Sequence, residues 1–200
     1  MSEPTVATEY SLPLKLNVHD THLTEEQFVL LCQENPDLRI ELTAQGELVL
    51  MPPTGMETGR CNNRIAYRVT AWSDMDGSGV VFDSSTLFTL GNGAKRSPDV
   101  SWVRRERWDA LSEAQRRGFG PLCPDFVVEL RSPSDRLADL QEKMQEYIAN
   151  GARLGWLIDP QDKRVYVYRP GQSVEMLDDP PTVSGDPVLP GFVLSVRELW

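Results

Sequence analysis

"PDFVVELRSPSDRLADLQEKMQEY" spans Pro124 to Tyr147. Its middle, "FVVEL", is the continuous apolar run of a strand buried on both faces, apart from Glu129. A carboxylate inside such a strand must be paired, metal-bound or protonated. An earlier run, "SPDVSWV" at Ser97–Val103, sets Asp99 at the mouth of a second apolar strand. Two acids on two core strands ask for a shared partner.

Asp125 is the other acid within reach in sequence. It precedes Glu129 by four residues on one extended segment, which puts their Cα atoms about 13 Å apart. Magnesium–oxygen bonds are near 2 Å, so one ion cannot easily bridge that gap. Neighbouring strands lie about 4.8 Å apart. Asp99 is therefore the better partner, provided its strand neighbours that of Glu129. Alternation puts Val127, Glu129 and Arg131 on one face and Phe126, Val128 and Leu130 on the other. The helix that follows can return across the Glu129 face. Its apolar stripe is Leu137, Leu140, Met144, Tyr147 and Ile148, with Lys143 at the edge. A lysine there can bury its stem and bring its ammonium to the acids.

The remaining segments supply a sheet and its covering helices. "LTEEQFVLLCQENP" reads as a short helix capped by Thr24 and stopped by Pro36, with Phe28, Leu31 and Cys32 as its stripe. "LRIELTAQGELVLMPP" reads as a hairpin turning near Gln45–Gly46. A helix from about Thr58 carries Ile65, Val69 and Trp72 at helical spacing. Arg60, Arg64 and Arg68 form a basic stripe on it, a candidate nucleic-acid contact. "GVVFDSSTLFTL" gives strands broken around Asp83–Ser85, and "SEAQRR" a short helix. Ser132, Pro133 and Asp135 have the form of an N-cap for the helix after Glu129. "LGWLIDP" and "KRVYVYRP" form a hairpin, and a tail with Leu189, Phe192, Leu194, Leu199 and Trp200 folds back on the body. The expected class is α/β (α+β), a central mixed sheet flanked by helices. One domain is expected over 1–200: a loose 1–19, a helix–hairpin extension over 20–56, a core over 57–170 and the tail over 171–200.

Composition narrows the classes. No apolar run of the 200 residues nears the roughly 18 that cross a membrane. The start has neither the basic residues nor the apolar stretch of a secretory signal. Cys32, Cys61 and Cys123 form no C-x-x-C, so free thiols in a reducing cytoplasm are expected and zinc is not. The net charge of −10 argues against a general nucleic-acid coat. A nucleic acid would have to be held by a local basic patch and metal ions. Two carboxylates and a lysine suit Mg²⁺ or Mn²⁺ and phosphoryl chemistry. Asp99 and Glu129 would hold the ion, and Lys143 would orient water or stabilise transition-state charge.

"SPDV" about thirty residues before "VVELRSPSD", then "LQEKMQEY" and "GWLIDP", resembles the Uma-two family of restriction-endonuclease-like proteins, within the PD-(D/E)XK nuclease superfamily. "LTEEQF", "GELVLMPPTGMETGR" and "LPGF" extend the resemblance over most of residues 20–200. It implies a restriction-endonuclease-like core and a metal-dependent endonuclease hydrolysing phosphodiester bonds, with DNA as default substrate. It implies Asp99 as the motif aspartate, Glu129 as the second acid and the Leu130 carbonyl as a further metal donor. The motif lysine two residues after the acid is Arg131 here, and the lysine comes instead from the following helix as Lys143, with Tyr147 four residues on. The resemblance also implies Glu57 as the helix-borne acid that some members add to the metal site.

Plainer readings stand beside these. Glu129 paired with an arginine would be structural, and Asp99 after Pro98 would merely open a strand. Lys143 with Asp139 is an ordinary helix pair, and Glu57 complements a helix N-terminus. The competing function is a non-catalytic member of the fold, a binding or regulatory module. A third, a phosphatase or nucleotide hydrolase, lacks a G-x-x-x-x-G-K-[ST] loop. A homodimer is compatible with the apolar surface of the tail and hairpin.

Overall fold

The structure, a computed structural model, describes residues 13–200. The chain runs β1 (Leu14–Asn17), α1 (Glu25–Glu34), β2 (Arg39–Leu42), β3 (Glu47–Met51), α2 (Met56–Asp76), β4 (Gly79–Asp83), β5 (Phe88–Thr89), β6 (Lys95–Arg96) and β7 (Val100–Arg104). It continues through α3 (Arg105–Asp109), α4 (Glu113–Arg117), β8 (Phe126–Leu130), α5 (Leu137–Ala149), β9 (Leu154–Asp159), β10 (Arg164–Tyr168), β11 (Glu175–Asp178), β12 (Thr182–Ser184) and β13 (Val193–Ser195). Short 3₁₀ turns lie at His19–Thr21 and Val196–Leu199.

The central sheet has six strands in the order β11-β10-β9-β8-β7-β4. Only β8 and β9 pair in parallel, with α5 as their crossover; the other neighbours are antiparallel. This is the mixed sheet expected from the sequence. Alternation along β8 divides the core as anticipated. Phe126, Val128 and Leu130 join Trp102 and Trp156 beneath α2, where Cys61, Ile65, Val69 and Trp72 face them. Leu189, Phe192, Leu194 and Leu199 of the tail fill the same cluster. On the opposite face Val127 and Leu157 pack against Met144 and Tyr147 of α5.

The hairpin β2–β3 does more than extend the core. It belongs to a second sheet, ordered β1-β3-β2-β6-β5, so segments on both sides of residue 57 share one set of strands. Ile40 and Leu48 pack beneath Phe28 of α1, and α1 starts with a capping box of Thr24 and Gln27.

Three local expectations change. The reading of 1–19 as loose lies outside the described residues up to 12, but Leu14–Asn17 forms β1 against β3. Helix α2 begins at Met56, two residues ahead of Thr58. Helix α5 begins only at Leu137, with no side-chain cap. The Ser132–Asp135 motif closes a turn instead: the Asp135 carboxylate accepts the Ser132 N–H at 2.8 Å, and the Asp135 N–H donates to the Ser132 carbonyl at 3.1 Å. Its hydrogen bonds are consumed locally, as Asx-type turns do, and the helix waits for the chain to reach the sheet face.

Gly79 in β4 gives a sharp test of packing. A Cβ there would stand 2.2 Å from the indole of Trp102, a buried ring. Gly59 in α2 has open space around its missing Cβ. Gly79→Ala is expected to destabilise the protein by roughly 1–3 kcal/mol through overpacking. Gly59→Ala is expected to stabilise it by up to about 1 kcal/mol through helix propensity. Urea unfolding of both variants reads the contrast; equal midpoints would refute the packing argument.

Candidate active site

Two strands carry the acids to one end of the central sheet. Val100 pairs with Val128 in the β7–β8 ladder, so the next rung brings Asp99 opposite Glu129. Asp99 is held at both oxygens: it accepts the Asn62 amide at 3.1 Å and the Leu130 N–H at 2.9 Å. Glu129 accepts the Tyr147 hydroxyl at Oε1, 3.0 Å away, and Lys143 Nζ lies 2.8 Å from the same oxygen. No donor among the described residues bonds its Oε2. Asp99, Glu129, Leu130 and Lys143 all line one cavity of about 200 Å³.

Lys143 is not at the edge of its helix face but buried. Its position brings in a residue that the sequence reading passed over. Glu41, in the middle of β2, is buried and lies 2.9 Å from Lys143 Nζ. Glu41 also meets Arg96 at 3.1 Å and accepts the Ser97 N–H at 2.9 Å. Arg96 is shared in turn with Glu146 of α5. The signal was present in "RIEL", an acid between two apolar strand residues, as in "VVEL". A two-residue alternation in a hairpin reads as a solvent face, and only the second sheet turns that face inward.

Charge and burial set the protonation states. Burial pushes the Glu129 carboxyl up to about 7; the charges of Asp99 and Glu41 push the same way and Lys143 opposes them. Burial likewise raises Asp99, against the Leu130 N–H, Lys143 and Arg39. Burial would raise Glu41 too, but Lys143 and Arg96 outweigh it and hold Glu41 below the usual range. Burial would depress Lys143, yet Glu129 and Glu41 keep it above the ordinary lysine value. Lys143 is thus a fixed ammonium, and Glu129 the group nearest a change of state at neutral pH.

Other residues named from the sequence lie apart. Arg131 turns to β9, 2.7 Å from the buried Asp159 and 3.6 Å from Asp162, so it stands in no contact with Glu129. Glu57 is paired with Arg60 and its side chain is 77 % exposed; it does not line the cavity. Arg60 also donates to the Glu198 carbonyl, and Arg64 and Arg68 meet the Glu198 carboxylate at 3.4 and 2.9 Å. The basic stripe therefore lies along the tail. Asp125, at the far end of β8, is tied to Arg107 and the Arg104 N–H.

The oxygen set fits a divalent ion. Two neighbouring carboxylates, one with an oxygen left without a donor, and the Leu130 carbonyl are hard ligands of the kind magnesium and manganese take. Asp99 has no cation within ion-pair distance among the described residues, which leaves its charge for a metal ion to offset. Among the described residues no three His, Cys, Asp or Glu side chains form a metal-binding group, so the protein ligands would be two carboxylates and a carbonyl, with water completing the shell.

A family model, Uma2, described as "Putative restriction endonuclease", matches residues 25–197. A crystal structure described as that of "a putative nuclease belonging to DUF820", from Anabaena variabilis, superposes with a TM-score of 0.69 at 22% identity. The match covers 80% of this chain and 88% of that one, which establishes a common fold. No curated protein matches.

Glu129 gives this site a pH signature. Its folded value of about 7 lies above its ordinary 4.5, so the fold favours the protonated form. That contribution is whole below the unfolded value and is lost as pH rises through the folded one. In metal-free buffer, Glu129→Gln should therefore gain on the parent between about pH 5 and pH 8. The gain should be a few degrees in melting temperature, at roughly 2–4 °C per kcal/mol for a chain of this size. A constant gap between the two proteins across that range would sink the assignment.

Proposed function

The chain belongs to the Uma2 family, and we propose that it is a metal-dependent nuclease of the restriction-endonuclease-like type that hydrolyses phosphodiester bonds, with DNA as the substrate. The observation that carries this reading is the convergence of Asp99, Glu129 and Lys143 on one cavity. A divalent Mg²⁺ or Mn²⁺ held by Asp99, Glu129 and the Leu130 carbonyl would polarise the phosphate and make water nucleophilic at neutral pH.

The chain's own groups divide the remaining work. Asn62 and the Leu130 N–H fix the Asp99 carboxylate. Tyr147 and Lys143 hold one oxygen of Glu129 and leave the other free for a ligand. Lys143, kept protonated by two acids, is no base. It orients the attacking water by hydrogen bonding and stabilises negative charge on the five-coordinate phosphoryl transition state. Its buried setting strengthens both effects, because the local dielectric is low. Cys32, Cys61 and Cys123 are free thiols, which suits a reducing cytoplasm. No helix among the described residues is long and apolar enough to cross a membrane.

A non-catalytic binding module is the second reading. The internal pairing of Lys143 with both Glu41 and Glu129 favours it, since such a network also satisfies buried charge without any ligand.

The test is cleavage of labelled single- and double-stranded DNA and RNA with Mn²⁺. The parent should cleave, and Glu129→Gln and Lys143→Ala should each lose at least about 100-fold while remaining folded. Millimolar Mn²⁺ should raise the melting temperature of the parent by ligand linkage and leave that of Asp99→Asn unchanged. Cleavage that persists in Glu129→Gln would move the activity to another site. No cleavage and no thermal shift would favour the binding module.

A further inference from the structure

The cavity holds a second cation besides Lys143. Arg39 opens β2, two residues before Glu41, so both point from the same face of the strand. Arg39 lines the cavity of Asp99 and Glu129. Among the described residues it forms no side-chain hydrogen bond, its Nε is buried without an acceptor, and no carboxylate lies within ion-pair distance. Arg39 is partly buried, and the one donor it does bury is without a partner, which is costly. It does feel the acids through space: its charge lowers Asp99 and, at the end of β4, Asp83.

Electrostatics around the two cations differ. Lys143 is already claimed by Glu41 and Glu129. A phosphate brought to this cavity meets Asp99, Glu129 and Asp135 as like charges. The adjoining cavity, of about 220 Å³, carries Lys15, Arg96, Arg136 and Lys143 beside its six acids. Lys15 and Arg96 are paired there with Asp139, Glu41 and Glu146. In the cavity of Asp99 and Glu129 the cations are Lys143 and Arg39, and Arg39 is the one without an ion pair among the described residues.

We propose that Arg39 is the phosphate-binding residue of the site, its planar fork taking two non-bridging oxygens of a phosphodiester beside Asp99 and Glu129. Paired N–H donors on a planar cation match two phosphate oxygens in a way a lysine cannot. The inference rests on the nuclease reading for the identity of the ligand as a phosphodiester. Arg39 touches substrate only, so it holds no share of the metal ligation.

The probe is a thymidine dinucleotide with a non-hydrolysable methylenephosphonate linkage, which keeps both non-bridging oxygens, titrated calorimetrically with Ca²⁺ present. The parent should bind it, and Arg39→Met, which keeps the stem, should bind about 10- to 100-fold more weakly. Arg39→Lys should recover part of that loss. Mn²⁺ should still raise the melting temperature of Arg39→Met, because every metal ligand is intact. Equal binding by Arg39→Met, or no binding by the parent, overturns the proposal. Cleavage at the parental kcat/KM in Arg39→Met would overturn it and leave the nuclease standing. Arg39-dependent binding without cleavage of any nucleic acid would do the reverse.

Discussion

Lys143 has almost no water to solvate its charge; the carboxylates of Glu41 and Glu129, 2.9 and 2.8 Å away, do that instead. Each of the three comes from a different element: α5, β2 and β8. Sequestering a charge costs several kcal/mol and is recovered only with close geometry, so the three elements are held to one arrangement. If β2 slipped by one residue, Ile40 would face the ammonium and Glu41 the apolar cluster of Phe28 and Leu48. The network thus fixes the register of the second sheet against the helix of the first. It also joins Arg96 and Glu146 to the same core, which ties β6 to α5.

The half of this network that follows from local pattern was legible. An acid in "FVVEL", a second acid beside another apolar run and a helix returning over the sheet point to Asp99 facing Glu129, given neighbouring strands, and to Lys143 reaching Glu129. These depend on strand alternation, helical period and a short crossover. The other half depends on which surface meets which. Glu41 looks like the polar side of a hairpin until β6 and α5 cover it. Arg131 looks like a partner of Glu129 on the same strand face, but Asp159 lies on the next, parallel strand and captures it at 2.7 Å. The Ser132–Asp135 sequence has every residue of a helix cap, and the same side chains serve a turn equally well. In each case two structures compete for one set of hydrogen bonds, and the tertiary neighbours decide.

That turn also shapes the cavity. Two connections pass over the end of the sheet where Asp99 and Glu129 lie, β3 to α2 and β8 to α5. The first contributes Pro52 and Pro53 to the cavity wall, and the second Ser132, Pro133 and Asp135. Proline fixes φ, and the Ser132–Asp135 bonds fix the rest, so both lips of the opening are stiff. The delayed helix start leaves that end of β8 open.

The net charge of the chain, −10, bears less on phosphate recognition than its local distribution. Exposed charges farther apart than about 10 Å are screened at ordinary salt. The basic residues on α2 are compensated by Glu57 and Glu198, so they add little field toward a ligand. Within the cavity the balance turns on two cations and the acids around them. The buried one, Lys143, is already paired with Glu41 and Glu129. Arg39, on the same strand face as Glu41, faces the cavity without a counter-ion among the described residues. A single strand thereby supplies both the acid that positions Lys143 and the cation that offsets the repulsion of Asp99 and Glu129 toward an incoming phosphate.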